Sequence, residues 1–167
     1  MQKLSLLAGD NIILADSTVR RWSAGAGAAE LAACREAVAV ASPDGENACL
    51  IDATIDMNGE DVDVIMAHFG NTEHVRDRHL QTEDSYKRLK ERVDAGKRVV
   101  WLGYFTSAPY SPNYNRIMST GVLDSTNERD RYCEYIWYKN MKLKEFKRIA
   151  QGHVSDTEIQ FAEFEPF

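Results

Sequence analysis

The sequence has few cysteines, no long apolar run and no excess of basic charge, and each shortage removes a class of function. Its three cysteines, Cys34, Cys49 and Cys133, are widely spaced and odd in number. They signal neither a disulfide framework nor a zinc site and read as buried thiols. No apolar run reaches the roughly 18–20 residues that a membrane helix requires, and the first residues lack a signal peptide's basic start and long apolar centre. As given, the chain reads as a soluble piece without a transmembrane segment. A net charge of −6 and a pI near 5.2 disfavour a general nucleic-acid binder, which needs a basic surface to displace counterions from phosphates. No pair of the four histidines has metal-ligand spacing with a third ligand. Internal repeats, low-complexity tracts and linkers are also missing.

What is present is one domain's worth of core. At 167 residues and 44% hydrophobic content, residues 1–167 are expected to form a single domain. The most informative stretch is Ala67-His-Phe-Gly-Asn71, an imidazole where an apolar strand runs out into a loop. Before it, Val62, Val64 and Met66 alternate with Asp63, Ile65 and Ala67, and upstream Cys49, Ile51, Ala53 and Ile55 share one strand face. Asn58-Gly59 suits the positive backbone angles of a type I′ turn, so residues 49–67 read as an antiparallel hairpin. After His68 the period changes. Val75, His79, Tyr86, Leu89 and Val93 fit one face of a helix running to about Ala95, with Asn71 or Thr72 as cap, Glu73 at the positive end of the dipole and Gly96 as stop. His68 thus precedes a helix amino terminus, where free amides favour an anion.

Elsewhere, Leu4–Leu7 and Ile12–Ala15 read as short strands around a Gly9-Asp10-Asn11 turn. The Ala/Gly-rich run Ser23–Ala41 is open between a helix from about Ala28 to Val38 and an irregular insertion. Arg98–Gly103 reads as a buried strand followed by the loop Tyr104–Pro109, and Pro112 opens a short helix through Met118. Strands are expected at Cys133–Tyr138, Lys144–Ala150 and Glu158–Phe164. The alternation points to mixed α/β architecture.

Three strand ends carry polar clusters: His68 with Asn71, Tyr104 with Thr106 and Ser107, and Asp156 with Glu158. His68 reads as a general base, a phosphate ligand, or a histidine bonded to loop carbonyls. Arg131 either pairs with its neighbour Asp130 or presents its fork to a phosphodiester. Arg78 and Gln81, three apart on the central helix, can contact one partner; alternatively Arg78 braces the sheet through Asp77, Asp130 or Glu134. Glu134 is a candidate for balancing Arg131 or holding metal, and Asp156 for metal or a turn cap. His74, His79 and His153 read as surface or core residues, and Trp22, Trp101 and Trp137 as core or interface.

Pro43-Asp-Gly-Glu46, His68-Phe-Gly-Asn71, Asp77-Arg-His-Leu-Gln81 taken as Asp77, Arg78 and Gln81, Leu102-Gly-Tyr-Phe-Thr-Ser-Ala-Pro109, Asp130-Arg-Tyr-Cys-Glu-Tyr-Ile136 and Ser155-Asp-Thr-Glu-Ile-Gln160 occur in that order. Over residues 43–165 this set resembles the C-terminal nuclease-like domain of the GPI-anchor lipid (ceramide) remodelling family, within the endonuclease/exonuclease/phosphatase superfamily. The resemblance implies an α/β (α+β) fold, a two-sheet β-sandwich flanked by helices, here lacking part of the N-terminal half that supplies an early Asn and a metal-binding Glu. It implies a role on GPI lipids at the endoplasmic reticulum membrane, reached through other regions or a partner chain. The expected ligand is a GPI or inositol-phosphate headgroup, with His68 and Arg131 as catalytic candidates and Asn71, Arg78, Gln81, Tyr104, Thr106, Ser107 and Asp156 as binding candidates. Catalysis and non-catalytic recognition both stay open, with a metal-dependent nuclease as a weaker reading. Where superfamily nucleases carry an Asp and an Asn for phosphate and metal, this chain has Tyr104 and Thr106; where a terminal His is usual, it has Thr157. No cofactor is assigned by the residues alone; the resemblance leaves magnesium open, with Glu134 and Asp156 as the carboxylates available to it.

Overall fold

The computed structural model describes residues 5–8, 13–15, 34–40, 43–45, 48–56, 60–126, 133–149 and 159–165. In chain order these form β1 (Ser5–Ala8), β2 (Ile13–Ala15), β3 (Cys34–Val40), β4 (Ala48–Asp56), β5 (Asp61–His68), α1 (Val75–Asp94), β6 (Arg98–Tyr104), α2 (Pro112–Met118), β7 (Leu123–Asp124), β8 (Glu134–Lys139), β9 (Leu143–Ile149) and β10 (Ile159–Phe164). They make two sheets, ordered β2-β1-β10-β9 and β3-β4-β5-β6-β8-β7.

The central strands β5, β6 and β8 of the larger sheet are buried on both faces, which explains why β6 and β8 read as near-continuous apolar runs. Val62, Val64, Val100, Leu102, Ile136 and Tyr138 point toward the smaller sheet and pack with Ala162 and Phe164. The alternate residues Ile65, Ala67, Val99, Trp101, Tyr135 and Trp137 point the other way, into a layer with Leu89 of α1 and Tyr114 and Ile117 of α2. Trp101 and Trp137 are fully buried with ring centroids 4.4 Å apart, as core tryptophans; each contributes on the order of 3–5 kcal/mol against truncation to Ala. Trp22 lies outside the described residues.

The hairpin 49–67 is present as β4 and β5, with Leu50 opposite Ala67 and Asp56 opposite Asp61; its Asn58-Gly59 turn lies outside the described residues. β5 then runs parallel to β6 through the crossover helix α1, setting His68 beside Tyr104. The expected strands near both termini are found, β1 pairing with β2 and β10. β7, two residues long against β8, was not expected because it is too short to show a period.

Two expectations are corrected. The helix reading of residues 28–38 fails over its described part: residues 34–40 are edge strand β3, antiparallel to β4 from Cys34–Ala53 to Val40–Ala48. Ala has high helix propensity, but here the exposed edge of β4 offers ladder hydrogen bonds, and tertiary pairing overrides a weak local preference. The expected apolar stripe of α1 is also wrong at its start, since Val75 is 61% exposed and His79 is exposed. The helix buries Asp77, Gln81, Thr82, Ser85, Leu89 and Arg92 instead, a face that is polar because most of those side chains have hydrogen-bonding work against the sheet and its loops.

At the end of α1 far from His68, Asp52 and Asp63, 3% and 2% exposed, are held by cations. Arg92 bonds Asp52, Arg88 reaches Asp52 at 3.1 Å and Lys97 reaches Asp63 at 3.2 Å, so the buried carboxylates are neutralised by α1 and the turn after it. Of the cysteines, Cys133 is half-buried, so the expected burial is partial there; the Cys34 and Cys49 side chains lie outside the described ones.

Candidate functional site: the edge where β5 and β6 end

Parallel pairing brings the C-terminal ends of β5 and β6 to one edge of the sheet, the usual place for ligands in such arrangements. His68 and Tyr104 are Cα partners in register, and their rings stack with centroids 4.7 Å apart and planes 8° apart. His68 is exposed and Tyr104 half-buried, and one face of the imidazole rests on the tyrosine ring. The approach depends on Gly103. Its φ is +144°, and a Cβ there would lie 1.9 Å from the Ala67 carbonyl oxygen, so only glycine permits the strands to close up behind the pair.

Behind the two rings, three side chains tie the loops together. The Thr106 hydroxyl donates to the Gly70 carbonyl at 2.5 Å. Gln81 accepts from the Gly70 N–H at 2.9 Å, and Arg78 donates to the Thr106 carbonyl at 2.7 Å. Arg78 and Gln81 thus do share a partner region, as their spacing implied, and that region is the protein's own pair of loops. Arg78 braces the sheet through the Thr106 carbonyl, and no ion pair joins it to Asp77 or Glu134; Asp130 lies outside the described residues. Phe69 completes the anchoring. Its N–H donates to the Tyr104 carbonyl at 2.9 Å, and its ring is buried against Trp101 and Phe105.

Ser107 is buried. Its carbonyl accepts from the Tyr135 hydroxyl at 2.7 Å, and its hydroxyl accepts from the Asn113 amide at 3.2 Å. Asn71 is exposed, and its carbonyl accepts from the His74 N–H at 3.1 Å. Neither Asn71 nor Thr72 caps α1 with its side chain. The N-cap residue is His74, without a side-chain cap bond, and the Arg76 N–H donates instead to the Asp44 carboxylate at 2.9 Å. The anion expected at this helix start is therefore supplied from the β3–β4 turn, which balances the helix dipole internally. His79 is exposed, and His153 lies outside the described residues.

Glu134 is 1% exposed and sits opposite Tyr104 on β8. The other candidates, Arg131 and Asp156, and also Thr157, lie outside the described residues. No group of three His, Cys, Asp or Glu placed to hold a metal ion occurs among the described residues. Tyr104 and Thr106 bring no carboxylate to the edge, and the Thr106 hydroxyl is already engaged with Gly70.

Sequence reading missed Asp44, Gly70 and Gly103 as functional supports. All three lie inside the short motifs, but their roles depend on main-chain approach and on partners far along the chain.

Residues 36–166 match the family described as PGAP2IP, C-terminal nuclease-like domain. Protein cwh43 of Schizosaccharomyces pombe is 35% identical over 125 residues, which are 74% of this chain and 13% of that protein, so the chain spans a small part of its relative's length. Among solved structures, the human Nocturnin catalytic domain superposes with a TM-score of 0.62 at 14% identity, over 80% of this chain and 60% of that one. An endonuclease/exonuclease/phosphatase from Bacteroides vulgatus gives 0.59 at 15% identity over 80% and 66%, and TDP2 from C. elegans 0.59 at 17% over 79% and 51%. At such identities these likenesses show the fold alone, the two-sheet sandwich of the endonuclease/exonuclease/phosphatase superfamily. With the family model covering most of its length and a relative at 35% identity, the chain belongs to the PGAP2IP C-terminal nuclease-like domain family, the GPI-anchor lipid remodelling family whose motifs it carries.

Proposed function

We propose that this domain recognises the phosphate-bearing inositol headgroup of a GPI lipid, within a larger protein that remodels such lipids at the endoplasmic reticulum membrane. The observation that carries the reading is the stacked His68–Tyr104 pair at the end of β5 and β6. An exposed imidazole can bond a phosphate oxygen, and an aromatic face suits the apolar side of a sugar or inositol ring. Thr106, Gln81 and Arg78 are engaged in holding the loops, which gives the edge a fixed shape, as recognition requires. No step through a metal ion belongs to this reading.

The test is calorimetric titration of the chain with inositol 1-phosphate. Binding is expected, and His68→Ala should weaken it about tenfold, the loss of one hydrogen bond to a charged group. Equal affinity in the variant would remove His68 from the site.

A catalytic reading is favoured by one feature, the exposure of His68 at the mouth of the edge, where the imidazole could act on a water or lipid hydroxyl with Arg131 beside the phosphate. Turnover of a GPI lipid by the full-length protein, abolished by His68→Ala, would select this reading over recognition alone.

A further inference from the structure

The sequence holds 26 Asp and Glu against 20 Lys and Arg, and several buried or half-buried arginines draw on that surplus. Arg88 and Arg92 grip Asp52, Arg98 grips Glu60 and Arg116 grips Glu83. Arg78 differs. It is half-buried, bonds a main-chain carbonyl through Nη1 at 2.7 Å, and among the described residues pairs with no carboxylate. Taking a cation partly out of water without a counter-charge is unfavourable, so the arrangement calls for an anion from outside.

The bond that Arg78 makes decides which part of it is left over. With Nη1 on the Thr106 carbonyl, the Nε/Nη2 edge is unbonded, and Nε is buried without a partner. This is the edge that meets an oxyanion with two parallel hydrogen bonds. Gln81 supplies a second, independent donor. It is 1% exposed, its Oε1 is taken up by the Gly70 N–H at 2.9 Å, and its Nε2 is buried without a partner. Arg78 and Gln81 stand three apart on α1, as neighbours on its surface. Both reach one junction, where the Thr106 hydroxyl closes on the Gly70 carbonyl at 2.5 Å. Two groups with buried donors to spare, one of them charged, specify an acceptor that is negative.

This junction is approached from the helix side of the sheet, opposite the face that carries His68. Val62, Val64, Val100 and Leu102 of β5 and β6 face the smaller sheet, and strand alternation carries His68 and Tyr104 to that same side. α1 lies against the other side, where its Ser85 hydroxyl accepts from the buried Trp101 Nε1 at 3.3 Å. We infer that Arg78 and Gln81 form a second oxyanion site, for a phosphate group, on the α1 side of the loops that follow β5 and β6. A phosphate, with more oxygens than a carboxylate, serves the Arg78 edge with two and the Gln81 amide with a third. Its binding pairs the Arg78 charge and clamps the two loops from behind. The inference does not rest on the headgroup reading, because the two places lie on opposite sides of the sheet.

The experiment follows the melting temperature of the 167-residue chain and of Arg78→Lys and Gln81→Glu as inorganic phosphate is added, with inositol 1-phosphate in parallel. Lysine keeps the charge and the reach to the Thr106 carbonyl but has no two-bond edge. Its melt without phosphate reports the brace, and its response to phosphate reports the site. The parent should be stabilised by phosphate, and Arg78→Lys should need about tenfold more for the same shift, the loss of a hydrogen bond to a charged group. Gln81→Glu keeps the acceptor for Gly70 and places a carboxylate beside Arg78. It should melt higher than the parent and no longer respond to phosphate. No response by the parent, or an equal response in all three proteins, overturns the site. A lower melting temperature for Gln81→Glu overturns it too, because the two donors would then face a neutral group. Arg78-dependent stabilisation by both compounds assigns the site to any accessible phosphate, and by inositol 1-phosphate alone to a phosphate carried on a headgroup.

Discussion

Asp44 donates its N–H to the Asp77 carboxylate at 2.9 Å and is held a second time at the first turn of α1, where its carboxylate accepts from the neighbouring Arg76 N–H at 2.9 Å. The pattern is that of a capping box, with the cap supplied from 32 residues upstream instead of from the preceding residue. It fastens the β3–β4 turn to the helix whose Arg78 and Gln81 hold the loops after β6 and β5. Asp44→Ala should lose about 1–2 kcal/mol, the worth of a good N-cap, while Asp44→Asn should lose only a fraction of that. Urea denaturation of both variants checks the difference; an equal loss would mean that the cap is not what Asp44 provides.

Gly103 tolerates no side chain. The added Cβ of Gly103→Ala would meet main chain at 1.9 Å with φ at +144°, so the strand pair must open or the backbone must turn. A loss of about 3 kcal/mol or more is expected, at the severe end of single substitutions. Gly96→Ala, with nothing within 4 Å of its Cβ at φ +70°, should lose only about 1–2 kcal/mol from the left-handed backbone. Thermal melts of the pair would separate steric contact from backbone strain.

Gln81 acts through Gly70. In Gln81→Met the volume is kept but the acceptor of the Gly70 N–H is lost, leaving a buried donor unpaired at about 1–3 kcal/mol. Amide hydrogen exchange at Gly70 should accelerate in the variant, and inositol 1-phosphate binding should weaken although Gln81 is 1% exposed. Unchanged protection at Gly70 would show that the loop is held by Thr106 alone.

A pH dependence follows from the contact between the two helices. Arg116 binds Glu83 with both branches, at 2.7 and 2.8 Å, and stands over the Tyr86 ring at 3.4 Å. Hydrogen bonding from Arg116 holds the Glu83 carboxyl below its ordinary value of 4.5. A lowered carboxylate stabilises the fold above pH 4.5, and that stability is lost as the pH falls below 4.5 and the folded carboxyl protonates. The stability gap between the parent chain and Glu83→Gln should therefore be largest above pH 4.5 and close in more acid solution. A constant gap would show that the pairing charge is not its source.

Much of the scaffold was legible because its signals are local. The period of two in Val62–Ala67, the positive-φ Gly96 after α1 and the Pro112 start of α2 each depend on residues next to them. His68 at a strand end was legible for the same reason. The helix reading of the Ala-rich run failed because its strand β3 is created by the edge of β4, a partner with no local trace. The expected caps at Asn71 and Thr72 failed because the real cap, Asp44, is distant in sequence. The apolar stripe of α1 was misplaced at its start because a face that buries Asp77, Gln81 and Ser85 looks solvated until its partners are known.

The sequence by itself determined the mixed α/β succession of elements, the place of His68 at a strand end and the family, since strand period, turn residues and short ordered motifs are properties of neighbouring residues; the two-sheet sandwich was implied only through the family resemblance. Only the tertiary structure decided what the site residues do. Stacking of His68 on Tyr104, closure of Thr106 on Gly70 and bracing by Arg78 arise where separate segments meet, and distances between segments are set by packing rather than by order along the chain.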